Sequence, residues 1–189
     1  MKLVYQYIRF FLYTAYHWNI QLAFFMLYHD IRGAIKYGTR RTFAPVPLRH
    51  LTLVNGDITK SSPYEAVSYY MLEKLLAAFR NISGESSLVD LGCGKGRVMV
   101  TSVYFGFTSI RGIDFAKELC EEAISNMKMV QTEFPGICWE VIHANVLDYD
   151  IRPMDEVFFM FNPFVEETLN LFLDKLEVSC RQFPRKTWF

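Results

Sequence analysis

Residues 90–97 read DLGCGKGR, three glycines at alternate positions directly after an apolar run and an aspartate. Leu88, Val89 and Leu91 have the character of a buried strand. Val98, Met99, Val100 and Val103 have that of the inner face of a helix starting just after Arg97. The glycines therefore fall on a strand-to-helix turn, where they permit positive φ and let a ligand lie against backbone that a Cβ would block.

The residues that follow keep the same alternation. Strands are expected at 87–91, 109–113, 137–142 and 156–161, and helices at 95–105, 116–133 and 165–180. A further helix precedes them, built on Val67, Tyr70, Met71, Leu75, Leu76 and Phe79. Alternating strands and helices imply parallel βαβ units in a sheet covered on both faces, with ligands bound at the strand carboxyl ends where the order reverses. Residues 33–62, holding Gly38, Pro45, Pro47 and Gly56, read as an irregular connector with one short strand-like piece at 50–54. Residues 186–189 look like the first of a fifth strand, so the sheet is expected to stop after strand 4 or 5, as a truncated product or one that a partner closes. Three parts result: an aromatic helical extension (1–32), the connector (33–62) and an α/β domain (63–189).

In the extension, residues 10–28 (FFLYTAYHWNIQLAFFMLY) contain no Asp, Glu, Lys or Arg, which approaches the length of a membrane span. His17, Asn19 and Gln21 interrupt the run where hydrocarbon would penalise them most, and no small-x-small site follows for signal cleavage. Three readings stay open: a helix packed on the domain or on a second copy, an interfacial membrane helix, and a span.

Lys plus Arg equals Asp plus Glu at 20 each, which gives no chain-wide footprint for nucleic acid. Residues 32–60 are locally basic, with Arg32, Lys36, Arg40, Arg41, Arg49 and Lys60 against Asp57 alone. They form a solvated surface or a contact with an anionic substrate or lipid. Cys93, Cys120, Cys138 and Cys180 form no CxxC pair or Cys/His cluster, so neither a metal site nor a disulfide framework is expected and a cytoplasmic setting fits. Cys93 reads as a small residue in a tight turn rather than a nucleophile, because no histidine stands near it in sequence.

Two cofactor classes use a strand, a glycine turn and a helix. The dinucleotide fingerprint is G-x-G-x-x-G, whose turn takes a pyrophosphate. Here Gly92, Gly94 and Gly96 give G-x-G-x-G after Asp90, an acid that repels pyrophosphate and accepts hydrogen bonds from an ammonium group. Spacing and charge both favour the amino-acid end of S-adenosylmethionine.

The run Asp90 to Arg97 resembles motif I of the class I S-adenosylmethionine-dependent methyltransferases. Its GCGKGR form is similar to a group of small bacterial methyltransferases and, more distantly, to lysine methyltransferases carrying D-x-G-x-G-x-G-R. The likeness covers roughly residues 60–180. IRGID, ending at Asp114, matches the second strand with its terminal acid. HANVLDY (143–149) matches the segment that usually carries an acid and a small residue, and FMFNPF (159–164) matches the motif after strand 4.

The resemblance implies a Rossmann-like class I methyltransferase sheet binding S-adenosyl-L-methionine through Asp90, Gly92, Cys93, Gly94, Gly96, Asp114, Phe115, Asn145 and Val146. Asp114, 24 residues after Asp90, can accept both ribose hydroxyls; its other reading is a surface acid opening a helix. Asn145 stands where an aspartate is usual and its amide oxygen can accept from the adenine amino group, while Val146 packs on the adenine face. Asn162, Pro163 and Phe164 resemble the N-P-P-aromatic motif of methyltransferases acting on amide or ring nitrogens, with one proline missing; a loop that only shapes the acceptor pocket is the alternative. Tyr64 matches a Tyr-x-Pro loop covering the methionine moiety, although Ala66 replaces the proline; Tyr64 and Tyr69 otherwise read as packing aromatics.

The implied activity is methyl transfer to an unidentified acceptor, a protein lysine or amide nitrogen or a small molecule. Placement of the acceptor in line with the methyl group can supply about 7–11 kcal/mol. The other class is a non-catalytic methyltransferase-like module that binds nucleotide and partners. A nicotinamide oxidoreductase is disfavoured by the glycine spacing.

Overall fold

The structure, a computed structural model, describes residues 2–39, 42, 46, 51–54, 64–83, 87–161 and 164–189. Two N-terminal helices, α1 (Lys2–His17) and α2 (Ile20–Lys36), pack as a hairpin ahead of α3 (Tyr69–Ser83). There follow β1 (Ser87–Leu91), α4 (Arg97–Tyr104), β2 (Ser109–Asp114), α5 (Lys117–Glu133), β3 (Cys138–His143), β4 (Val157–Met160) and α6 (Glu166–Gln182).

The hairpin turns where the sequence had shown only an interrupted apolar run. Asn19 takes an extended conformation and its side-chain oxygen accepts from the Leu22 amide at 2.7 Å, so it caps α2. The polar cluster that argued against a span is therefore a helix start. α2 also runs to Lys36, through the expected boundary at residue 32.

The four strands are all parallel in the order β3-β2-β1-β4, a Rossmann-like α/β arrangement. Side chains alternate between the two sheet faces. Leu88, Ile110, Val157 and Phe159 join one core with α3, α4 and α5, while Val89, Leu91, Ile113 and Phe158 join another with Phe172 and Leu176 of α6. Burying each of the large apolar side chains stabilises the fold by about 1.5–3 kcal/mol.

Residues 51–54 form one antiparallel bridge, Leu53 to Ala116, rather than a strand. The fifth strand anticipated at the end of the chain is present as a single parallel bridge: Trp188 donates to Glu156 O at 2.7 Å and accepts from the Phe158 amide at 2.8 Å. Strand order reverses between β2 and β4 on the two sides of β1, which sets a crevice at the carboxyl ends of β1 and β4.

Candidate functional site

The glycine turn sits at that crevice. Gly92, Gly94 and Gly96 have φ of 79°, 52° and 76°, a left-handed run open to glycine and costly to other residues. The turn is closed by its own hydrogen bonds. The Gly92 and Cys93 amides donate to Ile113 O, Gly96 donates to Cys93 O, and Gly94 donates to the Asp114 carboxylate at 2.8 Å. These amides are spent inside the protein, so they do not form the donor nest that a pyrophosphate needs.

Acceptors remain. Asp90 lies on β1 between Gly112 of β2 and Phe159 of β4, almost fully buried. Its Oδ2 has no hydrogen-bond partner among the described residues. Burial, with the Asp114 carboxylate nearby, holds its acid form well above the usual carboxylate range. Asp114 ends β2 and accepts from the Gly94 amide and from the Ala116 amide at 2.9 Å. Burial raises its pKa to about 6 against the pull of those amides and of His143.

A cleft of about 30 Å³ adjoins these carboxylates, lined by Tyr64, Val67, Asp90, Gly92, Phe159 and Phe161 among others. The Tyr64 ring lies against the turn. A Cβ on Gly94 would stand 2.2 Å from its ring, the Lys95 ammonium lies 5.4 Å from the ring centroid, and its hydroxyl donates to Thr42 O at 2.7 Å. Tyr69, the other candidate, is a core residue: it is fully buried, with the Arg97 guanidinium 4.2 Å from its ring centroid.

The remaining expected residues are spread around the strand ends. Asn145 caps the 3₁₀ turn Val146–Asp148, its side-chain oxygen accepting from the Leu147 amide at 3.0 Å, which leaves that oxygen one lone pair for a ligand. Val146 is buried against Val89, Leu91 and Ile113. Phe115 is half-buried next to Asp114, its carbonyl 3.2 Å from His143 Nε2. Asn162 and Pro163 lie outside the described residues, and Phe164 packs on the core that holds Phe158. Burial pushes the Cys93 thiol well above its ordinary range, with Asp114 and Asp90 adding to it, which suits packing and not nucleophilic attack.

Two features escaped the reading of the sequence. Phe161, at the end of β4, lines the cleft. Arg97, quoted within the motif but given no role, reaches back from the turn to Asp30 of α2 at 2.8 Å, to Val67 O at 2.8 Å and to Thr42 at 3.0 Å. No local pattern announces a partner 67 residues away. Of the basic stretch, Arg32 and Lys36 pair with Glu73 of α3; Arg40, Arg41, Arg49 and Lys60 lie outside the described residues.

No protein-family model matches the chain, and no curated protein matches it. Among solved structures, it is similar to a protein from Pyrococcus horikoshii described as a candidate RNA methyltransferase, with a TM-score of 0.52 and 19% identity. That match covers 77% of this chain and 66% of the other. A methyltransferase from Thiobacillus denitrificans, solved with S-adenosylhomocysteine, matches at a TM-score of 0.45 and 21% identity over 55% of this chain and 42% of its own. One from Methanococcus maripaludis, described as S-adenosylmethionine-dependent on a provisional basis, matches at 0.45 and 19% over 53% of this chain and 47% of its own. The chain thus spans less than two thirds of the length of each of these structures. The first likeness establishes the fold and nothing finer.

Proposed function

We propose that the protein binds S-adenosyl-L-methionine at the glycine turn and transfers its methyl group to an acceptor at the β4 end of the cleft. The observation that carries this reading is Asp90: a buried carboxylate oxygen without a partner among the described residues, lining a cleft at the end of β1, beside a turn whose Gly92, Cys93, Gly94 and Gly96 amides are already spent. Ionised, such a carboxylate pairs with a cation, and it rejects a phosphate. S-adenosylmethionine, when bound, supplies an activated methyl group on a sulfonium and an ammonium group that suits this acceptor.

The chain's residues then have distinct tasks. Asp90 accepts from the ammonium, and Gly92, Cys93, Gly94 and Gly96 allow close approach along the backbone. Asp114 keeps lone pairs for the ribose hydroxyls beyond the two amide bonds it already accepts. Phe115, Asn145 and Val146 border the nucleobase, with Asn145 offering its remaining lone pair. Tyr64 must turn off Gly94 to admit the methionine moiety, after which its ring can cover it and exclude water. Phe161, Phe164 and the adjoining Asn162 and Pro163 would position the acceptor, a protein lysine or amide nitrogen or a small molecule.

Titration calorimetry with S-adenosylhomocysteine tests the binding step, with the nicotinamide dinucleotide as control; saturation at about 100 times Kd should stabilise the fold by about 2.7 kcal/mol. Absence of binding at millimolar ligand would refute the reading. Transfer of a labelled methyl group to components of a cell extract separates an enzyme from a module that only binds.

A further inference from the structure

The α1–α2 hairpin carries an apolar surface that the rest of the described residues leave uncovered. On α1, Val4, Ile8, Leu12 and Tyr16 recur at four-residue steps, each more than half exposed; on α2, Ile20, Phe24, Tyr28 and Ile35 form a similar stripe. Trp18, in the link between the helices, is 73% exposed. The hairpin is fastened to the domain at the far end of α2, by Asp30 to Arg97, by Arg32 to Glu73 and by Gly33 against the Tyr69 ring. From Asn19 to Asp30 the helix runs about 16 Å, and every residue from Tyr16 to Gln21 is exposed, so the link stands clear of the domain.

The charge on this surface has one sign. Asp30 is the single acid in residues 1–39 and is buried against Arg97, while Arg9, Arg32 and Lys36 are basic. Glu73 of α3 offsets part of the charge of Arg32 and Lys36. Two copies meeting through this face would bring an excess of positive charge together, since Glu73 answers both Arg32 and Lys36 and the hairpin's one acid, Asp30, is taken by Arg97. An anionic lipid surface supplies the missing sign.

We propose that the hairpin docks on the surface of a bilayer rich in anionic lipid. The aliphatic and Phe side chains enter the acyl boundary. Tyr5, Tyr13, Tyr16, Trp18 and Tyr28 sit at headgroup level, where rings with a polar tip are favoured, and the exposed Arg9 meets lipid phosphates. Among the described residues no helix is long and apolar enough to cross a membrane, so the hairpin lies in the interface. The inference stands apart from the cofactor reading, since neither face of the argument uses the cleft.

Sedimentation of the full chain with vesicles tests it. Vesicles of mixed phosphatidylglycerol and phosphatidylcholine should carry the protein into the pellet at moderate salt, and pure phosphatidylcholine should carry less. Changing the exposed Leu12, Tyr16 and Trp18 together to serine should reduce partition by at least about a hundredfold while leaving the melting temperature unchanged. Arg9→Glu should reduce it about fivefold or more on the anionic vesicles alone. A full chain that stays in the supernatant with anionic vesicles overturns the proposal. So does a dimer, seen by ultracentrifugation, that excludes lipid and that the triple variant dissolves, because the face then belongs to a second copy.

Discussion

Asp30 of α2 and Arg97 of the glycine turn meet at 2.8 Å as a buried ion pair, so the N-terminal hairpin is built into the wall of the candidate site. Arg97 leads α4 directly out of the turn, and its Nη2, like Asp30 Oδ2, has no hydrogen-bond partner among the described residues. Breaking such a pair strands a buried charge. Asp30→Ala should therefore cost about 3–5 kcal/mol in chemical denaturation. Removing residues 1–32 takes Asp30 away as well and should lower stability by at least as much. The double change Asp30→Leu with Arg97→Met should recover most of the loss, since two apolar side chains leave no charge behind. A truncated chain as stable as the full one would show that the pair contributes nothing.

Asp90→Asn separates folding from binding. In the ligand-free protein burial favours the acid form of Asp90, which asparagine copies in shape and neutrality. Stability should change by less than about 1 kcal/mol. Affinity for S-adenosylhomocysteine should fall roughly tenfold to a hundredfold, because a charged acceptor for the ammonium is lost. Calorimetry and thermal melts on the same sample read both quantities; undiminished affinity would remove Asp90 from the site.

The sheet was legible because its signals are local. Apolar runs with helical or strand periodicity placed β1 at the expected residues and the other strands within a residue or so at each end, and the alternating glycines marked the crevice. What stayed hidden depends on contacts between distant segments. Nothing near Arg97 in sequence points to Asp30, and Asn19 reads as an interruption of an apolar run until its side chain is seen capping α2. The closing of the turn by Ile113 O and Asp114 also comes from β2, across the strand pairing. Phe161 was quoted as part of a strand, and only its place at the open end of β4 brings it to the cleft.

Gly94→Ala should fail for two reasons that can be told apart. At φ 52° an alanine costs about 1–2 kcal/mol in backbone conformation alone. Its Cβ would also stand 2.2 Å from Cε2 of the Tyr64 ring, which must then leave the turn. In a background of Tyr64→Ala the steric part vanishes and the conformational part remains. A double-mutant cycle followed by urea denaturation should give a coupling of about 0.5–3 kcal/mol. Strict additivity would mean that Tyr64 does not rest on Gly94.

The two buried carboxylates set opposite pH dependences for stability and for binding. Burial raises Asp114 from an ordinary 3.8 to about 6, and Asp90 moves in the same direction. Between those values the folded chain holds a proton that the unfolded chain has released. By linkage, the contribution of Asp114 to stability is therefore greatest below the ordinary value and declines as pH rises through about 6. A ligand whose ammonium pairs with Asp90 and whose ribose hydroxyls donate to Asp114 favours the ionised carboxylates, so its binding strengthens as pH rises through the Asp114 value of about 6 and expels protons. The rise in melting temperature produced by S-adenosylhomocysteine should accordingly grow from pH 5 to pH 7, on the order of a tenfold gain in affinity for each proton released per pH unit. Calorimetry at pH 6 in two buffers of different ionisation enthalpy should register the released protons directly. A binding enthalpy independent of buffer, together with a ligand-induced shift that stays flat across this range, would mean that neither Asp90 nor Asp114 changes its protonation when the cleft is filled.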